Sequence, residues 1–481
     1  MASMVDWPHA IAALADERQA DFVAIEDGER AITVRQLNGW MRSAATSLAG
    51  EEGAVVVCDS DPVRHTAAVL GAIAAGRPAL LVDHKHPPSV LDAVATQAGA
   101  TVAIGRSVRG CAEISFDALT APQSQPNLTG FDDDRIGSII LTSGSTGVPK
   151  LVARTRRADM WAMINLRLAG FPLRPGDRCW APLPHAAAPF LSIIMGAIAA
   201  RATIVCGRFE PKHVDRFLNE QRVDYAHLVP TMLRLAREFD GLEGAGWRRI
   251  RMLMTGGEKI DPAIVEALRT QFRSVAYCAY GMTEVPLVAI AGPSEVASNP
   301  GTVGFPKPLT QVVIGDPDGE ERLAPNEEGE IFARAPDMYH GYLGSSPAGQ
   351  WHRTGDLGTL DEDGRLFITG RASDVVQVGG NRISTDEVSS VLSEHPAVMA
   401  AAVVAVDDPL WTTRLVAFVV LRDGVAERPD LAGWLSGRLA LYKVPRAYEL
   451  IESLPMESSG KLSLKTLRAK AESLALDEPH G

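Results

Sequence analysis

The chain has 481 residues, 46% hydrophobic and 22% charged, with a formal net charge of −12 at pH 7. That length exceeds one ordinary domain, and the balance suits a soluble globular protein with large cores. The acidic excess argues against a broad nucleic-acid-binding face. The longest apolar run, FLSIIMGAIAA, stops at Arg201, too short to span a bilayer.

The opening MASMVDWPHAIAALADERQAD lacks a basic segment followed by an apolar one, so no signal peptide is expected. Cys58, Cys111, Cys179, Cys206 and Cys278 form no CxxC pair and sit in apolar contexts. Reduced core thiols in a cytoplasmic protein are the expectation.

Along roughly the first 370 residues, apolar helices alternate with short apolar strands. TAAVLGAIAAGRPALLVDH reads as helix, glycine stop, then strand; HVDRFLNEQRVDYAHLVP repeats the pattern; RIRMLMTGG is a buried strand ending in glycines. This alternation predicts an α/β fold with largely parallel sheets. From about residue 374 the texture changes: a short strand, the helix TDEVSSVLSEH, the strands AAVVAVDD and RLVAFVVL, the helix DLAGWLSGRLA and a polar tail. The expected organisation is a large multi-sheet domain over 1–372, then a small mobile α+β domain over 374–481, with the joint near residue 373.

The stretch LTSGSTGVPK, Leu141 to Lys150, lies between two apolar β-type runs, RIGSIILT and KLVART. The ATPase loop GxxxxGK[ST] opens a helix and follows its lysine with a hydroxyl residue; here Lys150 is followed by Leu151. The composition still suits phosphate. Gly144 and Gly147 permit successive amides to face one anion, Thr142, Ser143, Ser145 and Thr146 add donors, and Lys150 adds charge.

The loop resembles the signature of the adenylate-forming superfamily: acyl- and aryl-CoA synthetases, adenylation domains and beetle luciferases. There it closes over the ATP β- and γ-phosphates. Further motifs follow in the family's order. TGGEKI places Gly256, Gly257 and Glu258 in a turn that, by resemblance, packs against adenine. AYGMTE resembles YGxTE, which implies Tyr280 and Gly281 on the purine, Thr283 at the α-phosphate and Glu284 as the Mg²⁺ ligand. HRTGDLG implies Asp356 at the ribose hydroxyls, with His352 where the family has an aromatic.

GRASDVVQVGGNRIS resembles the hinge motif. It implies Arg371 beside Asp356, a pivot at Ser373 or the adjacent Asp374, and passage of a pantetheine arm along Gly379 and Gly380. Arg382 and Glu387 fit the rest of that pattern, although Ser384-x-x-Glu387 also reads as a capping box for the next helix. PMESSGKLSLK implies that Lys461 is the mobile catalytic lysine, with Glu457 in place of the family threonine.

The implied reaction is ATP-dependent activation of a carboxylic acid as acyl-AMP, then transfer to a pantetheine thiol of CoA or of a carrier protein. The implied partners are a small-molecule acid and either CoA or 4′-phosphopantetheine on a carrier, with ATP and Mg²⁺ as cofactors and neither nucleic acid nor membrane. The acid pocket is expected at PLPHAAAPFLS, with His185, Ala186 and Phe190 lining it and Val285 contributing. An α-amino acid is disfavoured because no carboxylate in Ala186-Ala187-Ala188 pairs its ammonium. Ala186 also removes the asparagine that 2-hydroxybenzoate-specific members carry. The expectation is an apolar acid, aryl or medium-chain. Arg154, Arg156 and Arg157 are expected to be a solvated cluster. The alternatives are a stand-alone amino-acid adenylation enzyme, a non-catalytic nucleotide-binding protein and a luciferase-type oxygenase.

Overall fold

The computed structural model describes residues 7–16, 21–50, 52–121, 134–142, 150–169, 171, 173–258, 260, 262–315, 323–372, 375–378, 381–408, 412–422, 424–425, 429–456 and 462–475. The chain divides into two compact units. One comprises Met1–Val312, Phe332–His352 and Gly364–Leu366, and the other Val313–Ile331, Arg353–Asp363 and Phe367–Gly481.

The first unit holds two sheets. In the larger, the strands Val23–Glu26, Thr203–Val205, Arg178–Trp180, Tyr225–His227, Met252–Gly256 and Ala276–Tyr280 lie side by side and parallel. Ala289–Ala291 and Thr302–Pro306 extend it in antiparallel fashion. The smaller sheet runs Gly341–Tyr342, Lys150–Thr155, Ile136–Thr142, Ala79–Leu81, Ala54–Val57, Ala100–Ile104, Ala112–Ile114, and all but the first two pairings are parallel. Ala79–Leu81, Tyr225–His227 and Met252–Gly256 are strands that the sequence pattern predicted. The helix Pro62–Ala74, for example, ends before Gly76 at φ +77° and leads into Ala79–Leu81.

The largest core draws on both sheets, with Val55, Leu81 and Ile104 from one and Ile25, Ile204, Tyr225 and Met254 from the other. The helix Ala188–Ala199 contributes Phe190, Leu191, Ile194 and Ile198 to it. This helix is apolar on all sides, as a helix enclosed by protein must be. The far faces of the sheets carry cores of their own. Parallel sheets covered on both faces present ligand sites at the carboxyl ends of their strands.

In the second unit residues 329–331 and 353–360 belong to neighbouring strands. A hairpin pairs Val375–Val378 with Asn381–Ser384. A further sheet pairs Val398–Asp408 antiparallel with Thr412–Leu421, which is parallel to Ala447–Leu450. The helices Thr385–Ser393 and Leu431–Ser436 bury Val388, Leu392, Leu431 and Leu435 in one core, and Leu464–Ala475 buries Leu467 and Ala471 in another.

All five cysteines are free. Burial pushes the Cys58 thiol up to about 11 and the Cys206 and Cys278 thiols up to about 12, so these stay protonated and poorly nucleophilic. No helix among the described residues is long and apolar enough to cross a membrane.

Candidate active site

The strand–loop–strand reading of LTSGSTGVPK holds at both ends. Ile136–Thr142 and Lys150–Thr155 are antiparallel neighbours, with Thr142 opposite Lys150. Ser143, Gly144, Ser145, Thr146 and Gly147 lie outside the described residues. Lys150 is exposed, and its Nζ stands 4.9 Å from the centre of the Tyr342 ring, within cation–π range.

Tyr342 connects this lysine to the second motif. Its hydroxyl donates to Glu284 Oε1 at 2.8 Å. Burial and the Glu284 charge raise the phenol above its ordinary range, so it stays a donor. The Glu284 backbone is fixed as well, since its carbonyl accepts from the Tyr339 N–H at 2.8 Å. Glu284 Oε2 makes no hydrogen bond among the described residues. A carboxylate held at one oxygen and open at the other is a hard ligand suited to Mg²⁺.

The turn carrying Thr283 and Glu284 is built by sterics. Tyr280 ends its strand 9% exposed. At Gly281 a Cβ would lie 2.3 Å from the Pro286 carbonyl oxygen, so only glycine lets the chain fold back there. The Met282 N–H then donates to the Val285 carbonyl at 3.0 Å, and Val285 is fully buried.

Gly256, at the end of the neighbouring strand, is equally constrained, with the Ala279 carbonyl oxygen 2.1 Å from a built Cβ. Gly257 follows at φ +83°. The Glu258 carboxylate turns to the helix Pro230–Phe239, accepting from the Thr231 N–H at 3.1 Å and its hydroxyl at 2.7 Å. It supplies from outside the cap that helix lacks.

The expected solvated arginine cluster is corrected. Arg154 is 2% exposed and Arg156 7% exposed; only Arg157 reaches solvent, beside Asp134 at 3.1 Å. Arg154 Nε pairs with buried Asp159 at 2.7 Å, and Ser138 donates to the other Asp159 oxygen at 2.8 Å. Arg154 Nη1 reaches the Thr283 carbonyl at 3.3 Å. Asp159 belongs to the next helix, and only folding brings that carboxylate beneath the strand that carries Arg154.

A second buried ion pair joins residues that no local motif marks. Lys307 Nζ meets both Asp337 oxygens at 2.6 and 2.8 Å, with both side chains inaccessible to solvent. Lys307 is backbone-bonded to Val288, and Asp337 precedes by two residues the Tyr339 that holds Glu284. The pair thus ties together the two segments that flank the Glu284 turn.

On the acid side, His185 packs 4.8 Å from the Phe190 ring and 6.1 Å from the His65 ring, centre to centre. Burial lowers its pKa to about 4, with Asp83 opposing, so it is neutral at physiological pH. Phe190 is 4% exposed, and half-buried Ala186 packs against the same core.

The second unit brings together the two residues expected at the ribose. Asp356 is 7% exposed, and Arg371 Nε lies 3.1 Å from its Oδ1. Gly355, at φ +75°, donates to Glu330 Oε1 at 3.0 Å, and Arg353 Nε donates to the other Glu330 oxygen at 2.8 Å, which fixes the turn before Asp356. The capping box at Ser384 forms by half. Ser384 Oγ accepts from the Glu387 N–H at 3.3 Å, but the Glu387 carboxylate instead takes Lys443 Nζ at 2.7 Å through each oxygen. Ser373, Asp374, Gly379, Gly380 and Lys461 lie outside the described residues. The stretch that carries Lys461 is bounded by the bridged pair Met456 and Leu462.

The family model described as AMP-binding enzyme matches residues 12–343, and the AMP-binding enzyme C-terminal domain matches residues 387–461. The chain belongs to the AMP-binding enzyme family. A feruloyl-CoA synthase of Amycolatopsis sp is 34% identical over 78% of this chain and 76% of its own length. A 2-succinylbenzoate–CoA ligase of Bacillus licheniformis is 33% identical over 68% and 69%. Among solved structures, the O-succinylbenzoate coenzyme A synthetase of Bacillus subtilis in complex with ATP and magnesium ion superposes with a TM-score of 0.82 at 25% identity, covering 97% of this chain and 99% of that one. This AMP-binding enzyme is an AMP-forming acid–thiol ligase.

Proposed function

We propose that this ligase activates an apolar aryl acid as its acyl-adenylate and passes the acyl group to CoA. The observation that carries the reading is Tyr342, whose hydroxyl fixes Glu284 while its ring lies beneath Lys150. One side chain thus sets the spacing of a phosphate-binding cation and a metal-binding carboxylate.

In the first step an acid oxygen attacks the α-phosphorus of ATP, the bond to the bridging oxygen breaks, and pyrophosphate leaves. Lys150 and the loop 143–149 hold the outer phosphates. Tyr280 and the Gly256–Gly257 turn flank adenine. Thr283 orients the α-phosphate, held by Arg154 at its carbonyl. Asp356 and Arg371 take the ribose. Glu284 would hold Mg²⁺, which would offset phosphate charge, and Lys461 stabilises the charged transition state electrostatically. In the second step the thiol, losing its proton, attacks the acyl carbon and AMP departs. For this the segment after Ser373 turns, withdraws Lys461 and brings Gly379 and Gly380 to the pantetheine arm.

The names of the feruloyl and succinylbenzoate relatives support an aryl acid and CoA. The apolar setting of His185 and Phe190 agrees with them. The test is acid-dependent exchange of labelled pyrophosphate into ATP across cinnamates, benzoates, fatty acids and amino acids, followed by acyl transfer to free CoA and to a holo-carrier protein. Preference for an aryl acid and for CoA is expected. Preference for an α-amino acid, or loading of the carrier alone, contradicts the proposal.

A further inference from the structure

We infer that Lys307 and Asp337 are positioning residues for the metal ligand. Their buried ion pair keeps the Glu284 loop in register with the segment that aims its carboxylate, and so sets how tightly Mg²⁺ is held with ATP. The inference rests on the reading of Glu284 as the Mg²⁺ ligand.

The loop that carries Glu284 leaves the strand Ala276–Tyr280 and closes at its base, where the Val288 N–H donates to the Tyr280 carbonyl at 2.7 Å. The Lys307 N–H donates to the Val288 carbonyl at 3.1 Å, which fixes Lys307 to that base. The tip is held from another part of the chain. The Tyr339 N–H donates to the Glu284 carbonyl and the Tyr342 hydroxyl to Glu284 Oε1, each at 2.8 Å. This second segment is itself anchored to the strand that begins at Lys150. Tyr342 pairs with Val152, and the His340 N–H donates to the Ala153 carbonyl at 2.8 Å. The Lys307 side chain meets the segment at Asp337, two residues before Tyr339. One side chain thus spans from the base of the loop to the residues that hold its tip.

Both side chains of the pair are inaccessible to solvent. Dehydrating two charges often costs more than their attraction returns, and an apolar pair of similar volume is commonly as stable or more so. The pair is not isolated. Arg154, paired with buried Asp159, reaches the Thr283 carbonyl of the same loop. Burial pulls the Lys307 ammonium below its ordinary range, Asp337 opposes this, and the Arg154 charge adds to the fall, so the two pairs form one electrostatic group. These four buried charges sum to zero and are a poor means of stabilising a fold. They are a good means of fixing a geometry, because charge-assisted hydrogen bonds have direction and apolar contacts have none.

That geometry matters for a hard ion. Mg²⁺ demands near-ideal octahedral coordination, so a displaced carboxylate binds it less well. Residues that orient a ligand from behind change metal affinity or activity by about 10- to 100-fold when they are removed.

The test replaces both residues in the full-length chain with apolar ones, Lys307→Met together with Asp337→Val. It follows urea unfolding, ATP binding by calorimetry over a range of Mg²⁺ concentrations, and pyrophosphate exchange. The double variant is expected to unfold at or above the wild-type urea concentration, whereas either single variant unfolds earlier because one charge is left buried alone. In the double variant, ATP binding and exchange are expected to need about tenfold more Mg²⁺. Exchange returns at saturating Mg²⁺, and the KM for the acid stays within about twofold of wild type. A folded double variant with the wild-type Mg²⁺ requirement overturns the inference. So does earlier unfolding with an equal loss of exchange at every Mg²⁺ concentration, which marks a merely structural pair. If the double variant does not fold, Lys307→Met with Asp337→Ala, which removes bulk, decides in the same way. Glu284→Ala serves as the control. An Mg²⁺ requirement unmoved by Glu284→Ala overturns the metal-ligand reading and this inference with it, whereas a shift there without one in the double variant overturns this inference alone.

Discussion

Replacing Tyr342 with Phe removes one hydroxyl and keeps the ring beneath Lys150. The lost bond is a 2.8 Å contact to an ionised carboxylate. Hydrogen bonds to charged groups contribute about 1.5–3 kcal/mol, and about 1.4 kcal/mol is tenfold, so adenylation is expected to weaken by roughly 10- to 100-fold. Because the bond orients the metal ligand, the loss should appear as a higher Mg²⁺ concentration for half-maximal pyrophosphate exchange, with the KM for the acid little changed. Tyr342→Ala should cost a further ~0.5–1 kcal/mol through the Lys150 contact, seen as weaker ATP binding. If Tyr342→Phe shifts neither the rate nor the Mg²⁺ requirement by more than about twofold, the assignment of Glu284 as a ligand aimed by Tyr342 is wrong.

Arg154→Met should destabilise the fold by about 3–5 kcal/mol in urea unfolding, because Asp159 is left buried and unpaired. Arg154→Met with Asp159→Leu should regain much of that stability yet stay slow in adenylation, since the Thr283 carbonyl has lost its donor. The His65, His185 and His227 pKa values are lowered to about 3, 4 and 4 from 6.5. Unfolding therefore takes up protons below pH 6.5, so their stabilising contribution is complete above 6.5 and is lost as pH falls through 4. Melting temperature should drop over that window, and a histidine inflection in the rate near pH 6.5 assigned to His185 would contradict its burial. Lys461→Ala should slow adenylation by roughly 10²-fold or more yet leave thioester formation from supplied adenylate in place, and equal losses in both half-reactions would refute that division of labour.

Local pattern carried the strands, the helices and the order of the motifs, because hydrophobic period and glycine placement act over a few residues. The strand–loop–strand around Lys150 and the Asp356–Arg371 pairing follow from such short signals joined by family resemblance. What stayed hidden depends on distance along the chain. Tyr342 meets Glu284 across 58 residues, and Lys307 meets Asp337 across 30. No local rule marks those tyrosine and lysine positions, and a charged residue in an average sequence is expected in solvent. Arg154 departs from that expectation because its partner Asp159 is buried with it. Ser384-x-x-Glu387 shows the converse: the local motif formed its near half, while a lysine 56 residues away took the glutamate.

The central claim is that these separated stretches make the α-phosphorus of ATP open to attack by an aryl acid. Pyrophosphate exchange with purified enzyme, Mg²⁺ and a panel of acids tests it most directly. The account predicts exchange that requires an aryl acid and vanishes with Glu284→Ala. Absence of exchange with every acid offered, or exchange indifferent to Glu284, would contradict it.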